Sequence, residues 1–463
     1  MDAVEWATEE FGHAKLGDKR RVDRLVTLAA AAVARPSGFV AWVAPVGAER
    51  TGAYRFLRRK ELSVDPVSAA ARLACMHRAE GLPFVYVAED GSSLAFTEND
   101  GVRGTGVVGS HTNGARGFIV MNAIAMAPDG TPLGVAGQTW WSRDETPVAV
   151  DHHKRGPEEK ETRHWVELAQ TVVTDFNGST APRAWFQMDR GADSWYILET
   201  AATKGWWVTV RAAKDRRVET PRGVPRRYLR QSLAEAPVIA RFDVEIPSGH
   251  GRAERRARVE VRAAHVTLRL QDDRTTKTWP RTVGAVWARE VDAPPGVEPL
   301  DWLLLTTHPI ETQEDVLDVV IGYRLRWRVE EFHKSWKSAG CTVELTQLEH
   351  GAGIKVWATI LASVAIRILR LTYLGRSTPD LPATVEFTEA EITAAYLINK
   401  VERPRGNQPT VADVTFLIAR AGGHAPGRRG PPPGASVLAR GLARHAVVVE
   451  TLLALTARGL LTM

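Results

Sequence analysis

From the N-terminus to about residue 65, apolar positions recur every three to four residues between densely charged ones. LGDKRRVDRLVTLAAAAVAR sets Val22, Leu25, Val26, Ala29 and Val33 on one helical face, with Asp18 as a cap or first-turn acid. TGAYRFLRRKEL continues as helix and clusters Arg55, Arg58, Arg59 and Lys60. At Leu82 the period changes. LPFVYVAED is a short apolar run rich in β-formers that ends at Asp90. GFIVMNAIAMA and TPLGVAGQTWW flank the turn PDGT and predict a hairpin. RAWFQMD is a further buried strand ending at Asp189, and SWYILETAATKG predicts a helix stopped by Gly205. Three strands, then strand, helix, strand, predict an α/β fold with a mixed sheet flanked by helices.

Between about 205 and 300 the pattern is almost purely period two. WWVTVR, VIARFDVEI, ARVEVRAAHVTLRL and RTVGAVWAREV predict a β-rich insertion. Arg211 to Arg230 holds eight Lys and Arg against Asp215 and Glu219, and GRAERRARVEVR adds five arginines. That density favours a ribbon facing nucleic acid over the wet face of an ordinary sheet. Beyond Lys337 come GIKVWATILASVAIRILRLTYL and FTEAEITAAYLINKV, both helical, and AGGHAPGRRGPPPGA breaks the chain before a last helix from about 436 to 458.

At 463 residues the chain exceeds a single core, and a 44% hydrophobic, 25% charged composition is that of a globular protein. Two cysteines without metal spacing predict buried thiols in a reducing cytoplasm. No run of eighteen apolar residues is present, and the N-terminus opens acidic, so neither a membrane span nor a signal peptide is expected. A net charge of +6 makes a polyanionic partner plausible.

YRLRWRVEEFHKSWK, from Tyr323 to Lys337, concentrates the candidate chemistry. On a helix Tyr323, Arg326, Glu330, His333 and Lys337 fall within an arc of about 80°, beside an apolar face of Leu325, Val329, Phe332 and Trp336. An ion-pair stripe explains the charges there but not the tyrosine or the distal lysine. A carboxylate at the end of a buried strand is costly unless it is paired or bound to a cation. Two strand-end aspartates, Asp90 and Asp189, with Glu330 supply an all-oxygen donor set suited to two Mg²⁺ and in-line phosphoryl transfer. Arg326 and Lys337 would offset the repulsion between those carboxylates and a polyanionic substrate.

The spacing Tyr323-x2-Arg326-x3-Glu330-x6-Lys337 resembles the YREK signature of DDE cut-and-paste transposases in the bacterial insertion-sequence-four family. The resemblance runs along nearly the whole chain, through LGDKRR, GAYRFLR, AEDGSSL, MDRGADSWYIL, LDWLLLTTHP and IARAGGH. It implies a helical DNA-binding domain over 1–65 and an RNase H-like catalytic domain over 66–375, with a β insertion at about 205–300. A helical dimerisation domain would follow over 376–463. It implies Asp90, Asp189 and Glu330 as a catalytic triad holding two Mg²⁺ ions, with Mn²⁺ as a substitute. Tyr323, Arg326 and Lys337 would grip the DNA backbone, and Trp302 would stack on a flipped base with Arg211 nearby. His333, Lys334, Arg55 and Arg58 complete the expected DNA contacts. The implied partners are double-stranded DNA, at transposon ends and target, and a second copy of the chain in a synaptic complex; the implied place is the bacterial cytoplasm, on the nucleoid. Two departures stand out: Gly91 replaces a small hydroxyl residue after the first aspartate, and the last helix lacks tryptophans.

Two other readings compete. One is a DNA-binding regulator derived from a transposase that has lost catalysis; the intact Asp90, Asp189 and Glu330 set counts against it. The other is a glycosidase or stand-alone nuclease using an acid pair; the Tyr, Arg and Lys stripe disfavours a sugar substrate.

Overall fold

Acidic residues start the first two helices. In the computed structural model, which describes residues 1–96, 104–109, 114–144, 151, 154–176, 181–246, 254–272, 274–275, 277–404, 406, 408–425 and 433–461, Asp2 caps α1 (Ala3–Phe11) and Asp18 caps α2 (Lys19–Ala34). The Asp18 carboxylate accepts the Arg20 N–H at 2.8 Å, satisfying one of the helix's free donors. α3 (Val40–Val43), α4 (Gly47–Leu57) and α5 (Asp65–Ala79) follow. Leu25, Ala29 and Val33 are buried as the period predicts, and they share one core with Ile354, Trp357 and Leu361. The Trp357 indole N–H donates to the Gly38 carbonyl at 2.8 Å. The N-terminal helices are thus packed into the main body.

The sheet is built from β1 (Phe84–Ala95), β2 (Gly106–Val107), β3 (Arg116–Met126) and β4 (Pro132–Trp141), then β5 (Arg183–Met188) and β6 (Trp207–Arg211). α6 (Arg163–Asp175) precedes β5, and α7 (Trp195–Lys204) joins β5 to β6 and ends on Gly205 in the left-handed conformation, φ 65°. β1 pairs antiparallel with β3 and parallel with β5, and β5 pairs parallel with β6. β7 (Arg217–Val218), β8 (Arg227–Tyr228), α8 (Leu229–Glu235), β9 (Val238–Ile246), β10 (Arg255–Gln271) and β11 (Thr278–Val291) then lead to β12 (Asp301–Thr306), which returns to pair with β6. The strand order among the described residues is β2-β3-β1-β5-β6-β12-β11-β10-β7-β8, with β4 on β3 and β9 on β10. This is a mixed, RNase H-like α/β architecture. WWVTVR, grouped by its alternation with the insertion, is the third parallel strand of the central sheet; alternation alone does not reveal a strand's neighbours.

Many arginines of the insertion are paired with carboxylates, and several of them remain exposed. Arg241, Arg262 and Arg289 surround Glu260, Arg255 pairs with Glu290 at 2.8 Å, and Arg256 and Arg258 face Asp243. Hydrogen bonding from Arg262, helped by Arg241, holds the Glu260 carboxyl down at about 2. Arg216, Arg227, Arg230 and Arg269 likewise meet Asp193, Glu235, Asp301 and Glu219. These ten arginines share seven carboxylates, some close in sequence, as Glu260 is to Arg262, and others across strands, as Glu290 is to Arg255.

Helices close the fold: α9 (Gln313–Leu325), α10 (Trp327–Lys334), a π-turn at Ser335–Ala339, α11 (Gly351–Ser377), α12 (Glu389–Ile398), α13 (Val411–Ala421) and α14 (Ala435–Ala457). The single helix expected across Tyr323–Lys337 changes its hydrogen bonding twice. At Arg326 it tightens, because that N–H is shared between the Gly322 and Tyr323 carbonyls at 3.1 and 3.2 Å. At Ser335 it loosens into the π-turn that carries Lys337. α11 is long and apolar enough to cross a membrane, with mean hydropathy 1.7, but 83% of its most apolar window is buried inside the protein. It is the central core helix.

α9 approaches the sheet at Gly322. A Cβ there would lie 2.5 Å from the Tyr86 ring and 2.9 Å from the Gln187 amide nitrogen. The Tyr86 ring is fixed by packing and by its hydroxyl donating to the Asp318 carbonyl at 3.0 Å. Gly322→Ala is therefore expected to lift α9 off β1 and β5 and to destabilise the protein by about 1–3 kcal/mol. Denaturant unfolding measures this; an unchanged midpoint would mean the helix does not need that close approach.

Candidate active site

Strand parity sets the site. Along β1, Tyr86 and Ala88 face the core shared with α9 and α11, whereas Val85 and Val87 face the α6 and α7 side. Along β5, Trp185 faces the first core and Phe186 the second. Asp90 continues the Tyr86 series and Asp189 the Trp185 series, so both carboxylates emerge on one face. The last paired residues of the two parallel strands are Ala88 and Gln187, and each aspartate lies two positions beyond. Glu89 points the other way. It is fully buried, neither carboxylate oxygen has a hydrogen-bond partner, and burial raises its pKa well above the carboxylate range, so it is held neutral.

Arg326, at the junction of α9 and α10, sits between two carboxylates, Glu330 and Asp90. Its guanidinium lies 2.8 Å from Glu330 Oε1 and 4.0 Å from Asp90 Oδ2, and the side chain is 7% exposed. Asp90 is pushed up to about 6, first by burial and then by the charge of Asp189; Arg326 and the Gly91 N–H oppose that, and Glu330 adds to it. Asp189 Oδ1 accepts the Gly191 N–H at 2.7 Å and caps a short turn. The donor set of Asp90, Asp189 and Glu330 is all hard oxygen, the chemistry a divalent Mg²⁺ or Mn²⁺ favours. Among the described residues no three such groups converge tightly enough to enclose an ion; Arg326 holds the intervening position.

The other residues of the stripe divide by depth. Tyr323 is only 1% exposed, so it lies beneath the rim that the helical wheel assigned to it. It meets half-buried Trp302 edge-on at 5.3 Å. Arg211 donates to the Asp301 carbonyl at 3.0 Å. Lys337 Nζ donates to the Ser93 carbonyl at 2.6 Å and lies 3.6 Å from Glu344, at the far end of β1. His333 is pushed down to about 3, mainly by burial and secondarily by Lys337, so it carries no charge at neutral pH. Lys334 is exposed on α10. Arg55 is exposed on α4, and Arg58 stacks on Tyr54 within reach of Glu349 at 3.7 Å.

A polar chain behind the site is absent from the sequence reading. Thr359 Oγ donates to Gln138 at 2.9 Å, the Gln138 amide donates to Asn122 at 2.8 Å, and the Asn122 amide meets His333 Nε2 at 3.0 Å. It fixes α10 against β3, β4 and α11. The signal was available: Asn122 and Gln138 interrupt otherwise apolar strands.

Carboxylates at the ends of adjacent parallel strands, facing a helical Glu on an RNase H-like sheet, define the architecture of a DDE-type phosphoryl-transfer enzyme. Three family models match the chain in order: Transposase DNA-binding over residues 3–62, Transposase DDE domain over 145–366 and Transposase Tn5 dimerisation domain over 363–459. The chain belongs to the Tn5-like DDE transposases; it is a DNA transposase whose partners are DNA and a second copy of itself. The DDE match includes Asp189 and Glu330 but begins after Asp90, whose place rests on strand parity and register.

The raised Asp90 carboxyl has a consequence for stability. A folded-state pKa above the unfolded value favours the protonated fold, so this contribution is present at low pH and lost as pH rises through about 6. Asp90→Asn cannot ionise. In chelator-treated protein it is expected to be more stable than wild type at pH 8, by about 1–3 kcal/mol, with the gap closing near pH 4. Denaturant titrations at the two pH values check this; equal stability at both would mean Asp90 is not strained by its neighbours.

Proposed function

We propose that Asp90, Asp189 and Glu330 form the catalytic centre for cut-and-paste transposition. On this reading the enzyme nicks each transposon end, joins the freed 3′-OH to the opposite strand as a hairpin, reopens the hairpin with water and transfers the end to target DNA. The observation that carries the reading is the emergence of Asp90 and Asp189 on one face, with Glu330 linked to Asp90 through Arg326.

Asp90, Asp189 and Glu330 would hold two divalent ions, which when bound activate the attacking oxygen and stabilise the leaving one. The chain's own groups do the rest. In each step an oxygen, from water or a 3′-OH, attacks phosphorus as the opposite P–O bond breaks, so substrate and nucleophile must lie in line. Arg326 and Lys337 offer fixed positive charge to the phosphate beside the cut, and Lys337 is already anchored on β1 through Ser93. Uncharged His333, braced by Asn122, orients α10 rather than adding charge. Trp302, which packs edge-on against the buried Tyr323 ring, would stack on a base that leaves the duplex at the hairpin. Arg211, Lys334, Arg55 and Arg58 extend the contacts with the backbone, and the reaction takes place in a homodimer that holds two ends in the bacterial cytoplasm. The region boundaries that fit this reading are 1–65 for end binding, 66–375 for catalysis and 376–463 for dimerisation.

Asp90→Ala, Asp189→Ala and Glu330→Ala are each expected to abolish strand cleavage in Mg²⁺ or Mn²⁺ while retaining duplex binding, because phosphate contacts by Lys and Arg remain. Gel assays of nicking and binding on the inverted repeats that bound the gene measure both. Near-normal nicking by any one variant removes that residue from the centre.

A further inference from the structure

Lys337, the last member of the stripe, lies on the π-turn, and the chain that follows comes back to meet it. After Gly340 it makes a single further turn, Val343–Leu345, against the far end of β1. Glu344, in that turn, accepts the Ala95 N–H on Oε1 at 2.9 Å, and the same oxygen lies 3.6 Å from Lys337 Nζ. Among the described residues Glu344 is the one carboxylate paired with Lys337. The two side chains are 29% and 27% exposed, so the pair is partly sheltered and screened less than one in open solvent.

The backbone under Glu344 is clamped. Thr342, just before the turn, adopts the left-handed conformation, φ 47° and ψ 44°, which strains a β-branched residue. The N-terminal region holds it there. Thr342 Oγ accepts the Gly38 N–H at 3.2 Å, and a Cβ on Gly38 would lie 2.1 Å from the Thr342 carbonyl oxygen. The Trp357 indole fixes Gly38 in turn, through its carbonyl, at 2.8 Å. A lysine is the opposite case: a compact charge with three donors on a flexible four-carbon stem. Lys337 donates to the Ser93 carbonyl at 2.6 Å, and the Glu344 carboxylate gives its ammonium a second fixed point. Donors remain for a phosphate. A carboxylate beside a phosphate-gripping lysine repels DNA, so it is useful there only if it improves the aim of that lysine.

We propose that Glu344 is a positioning residue for Lys337. Its charge holds the ammonium at the end of β1, in place for the phosphate that is cut, so that Glu344 sets the rate of cleavage rather than the affinity for DNA. The inference rests on the role given to Lys337 in the proposed function. Glu344 touches neither the substrate nor the reacting atoms and acts through Lys337 alone.

The test is a double-mutant cycle on full-length protein, with a duplex carrying the inverted repeat that bounds the gene. Glu344→Gln keeps an acceptor for the Ala95 N–H and removes the charge. At saturating protein it is expected to slow nicking in Mg²⁺ by roughly three- to tenfold, the scale of coupling between side chains in contact, with duplex affinity and melting temperature unchanged. In a Lys337→Met background the same substitution is expected to slow nicking no further. Equal slowing in both backgrounds would mean that Glu344 acts independently of Lys337, and the proposal is overturned. Nicking by Glu344→Gln at the wild-type rate or faster would leave Glu344 as nothing more than a charge that repels DNA, and the inference fails alone. Glu344→Ala, which also loses the Ala95 bond, separates a strut from a positioning residue. If Gln and Ala lower the melting temperature alike and nicking falls only with the folded fraction, Glu344 is a strut and the proposal is overturned. If Lys337→Met itself nicks like wild type, the role of Lys337 fails and the inference with it.

Discussion

The Arg326 guanidinium lies between Glu330 and Asp90, and the region around it is arranged to make that possible. Carboxylates gathered on one half-buried face repel each other; burial and Asp189 together push Asp90 up to about 6. A cation is needed there, and in the protein alone Arg326 supplies it. The fold brings it there by tightening the helix at Arg326 and by letting α9 touch the sheet at a glycine, Gly322. Residues further along are held by the chain of Thr359, Gln138, Asn122 and His333, and by the Lys337 bond to β1.

The carboxylates of β1 work against stability. Two adjacent carboxylates on β1, Glu89 and Asp90, are both disfavoured as anions, but for different purposes. Glu89 faces the apolar side without a partner and is neutral. Asp90 faces Arg326 and lies beside Asp189. Strand parity alone separates the two fates.

Much of this was legible in the sequence because the informative signals are local. Short apolar runs rich in β-formers carried LPFVYVAED to Asp90 and RAWFQMD to Asp189, Gly205 ended α7, and Asp18 capped α2. The 3.6 period put Arg326 and Glu330 on one face, and the pair forms. What was not legible depends on tertiary neighbours. The carboxylate partners of the insertion's arginines, Glu260 for Arg241, Glu290 for Arg255 and Asp243 for Arg256, meet them across strands. WWVTVR read as insertion because alternation does not disclose that β6 runs parallel to β5. Tyr323 read as a rim residue because a wheel does not show that β12 covers it with Trp302. The Asn122 partner of His333 was not legible because β3 brings it there.

The central claim is that Asp90, Asp189 and Glu330 act together on one cation-binding centre when Arg326 yields it. Iron-directed cleavage of the polypeptide tests this directly, with Fe²⁺ in place of Mg²⁺ and ascorbate and peroxide generating radicals at the bound ion. Scission is expected in three short windows, around residues 90, 189 and 330, suppressed by excess Mg²⁺ and lost in Glu330→Ala. Scission confined to any other part of the chain, or a pattern that Glu330→Ala leaves intact, would contradict it.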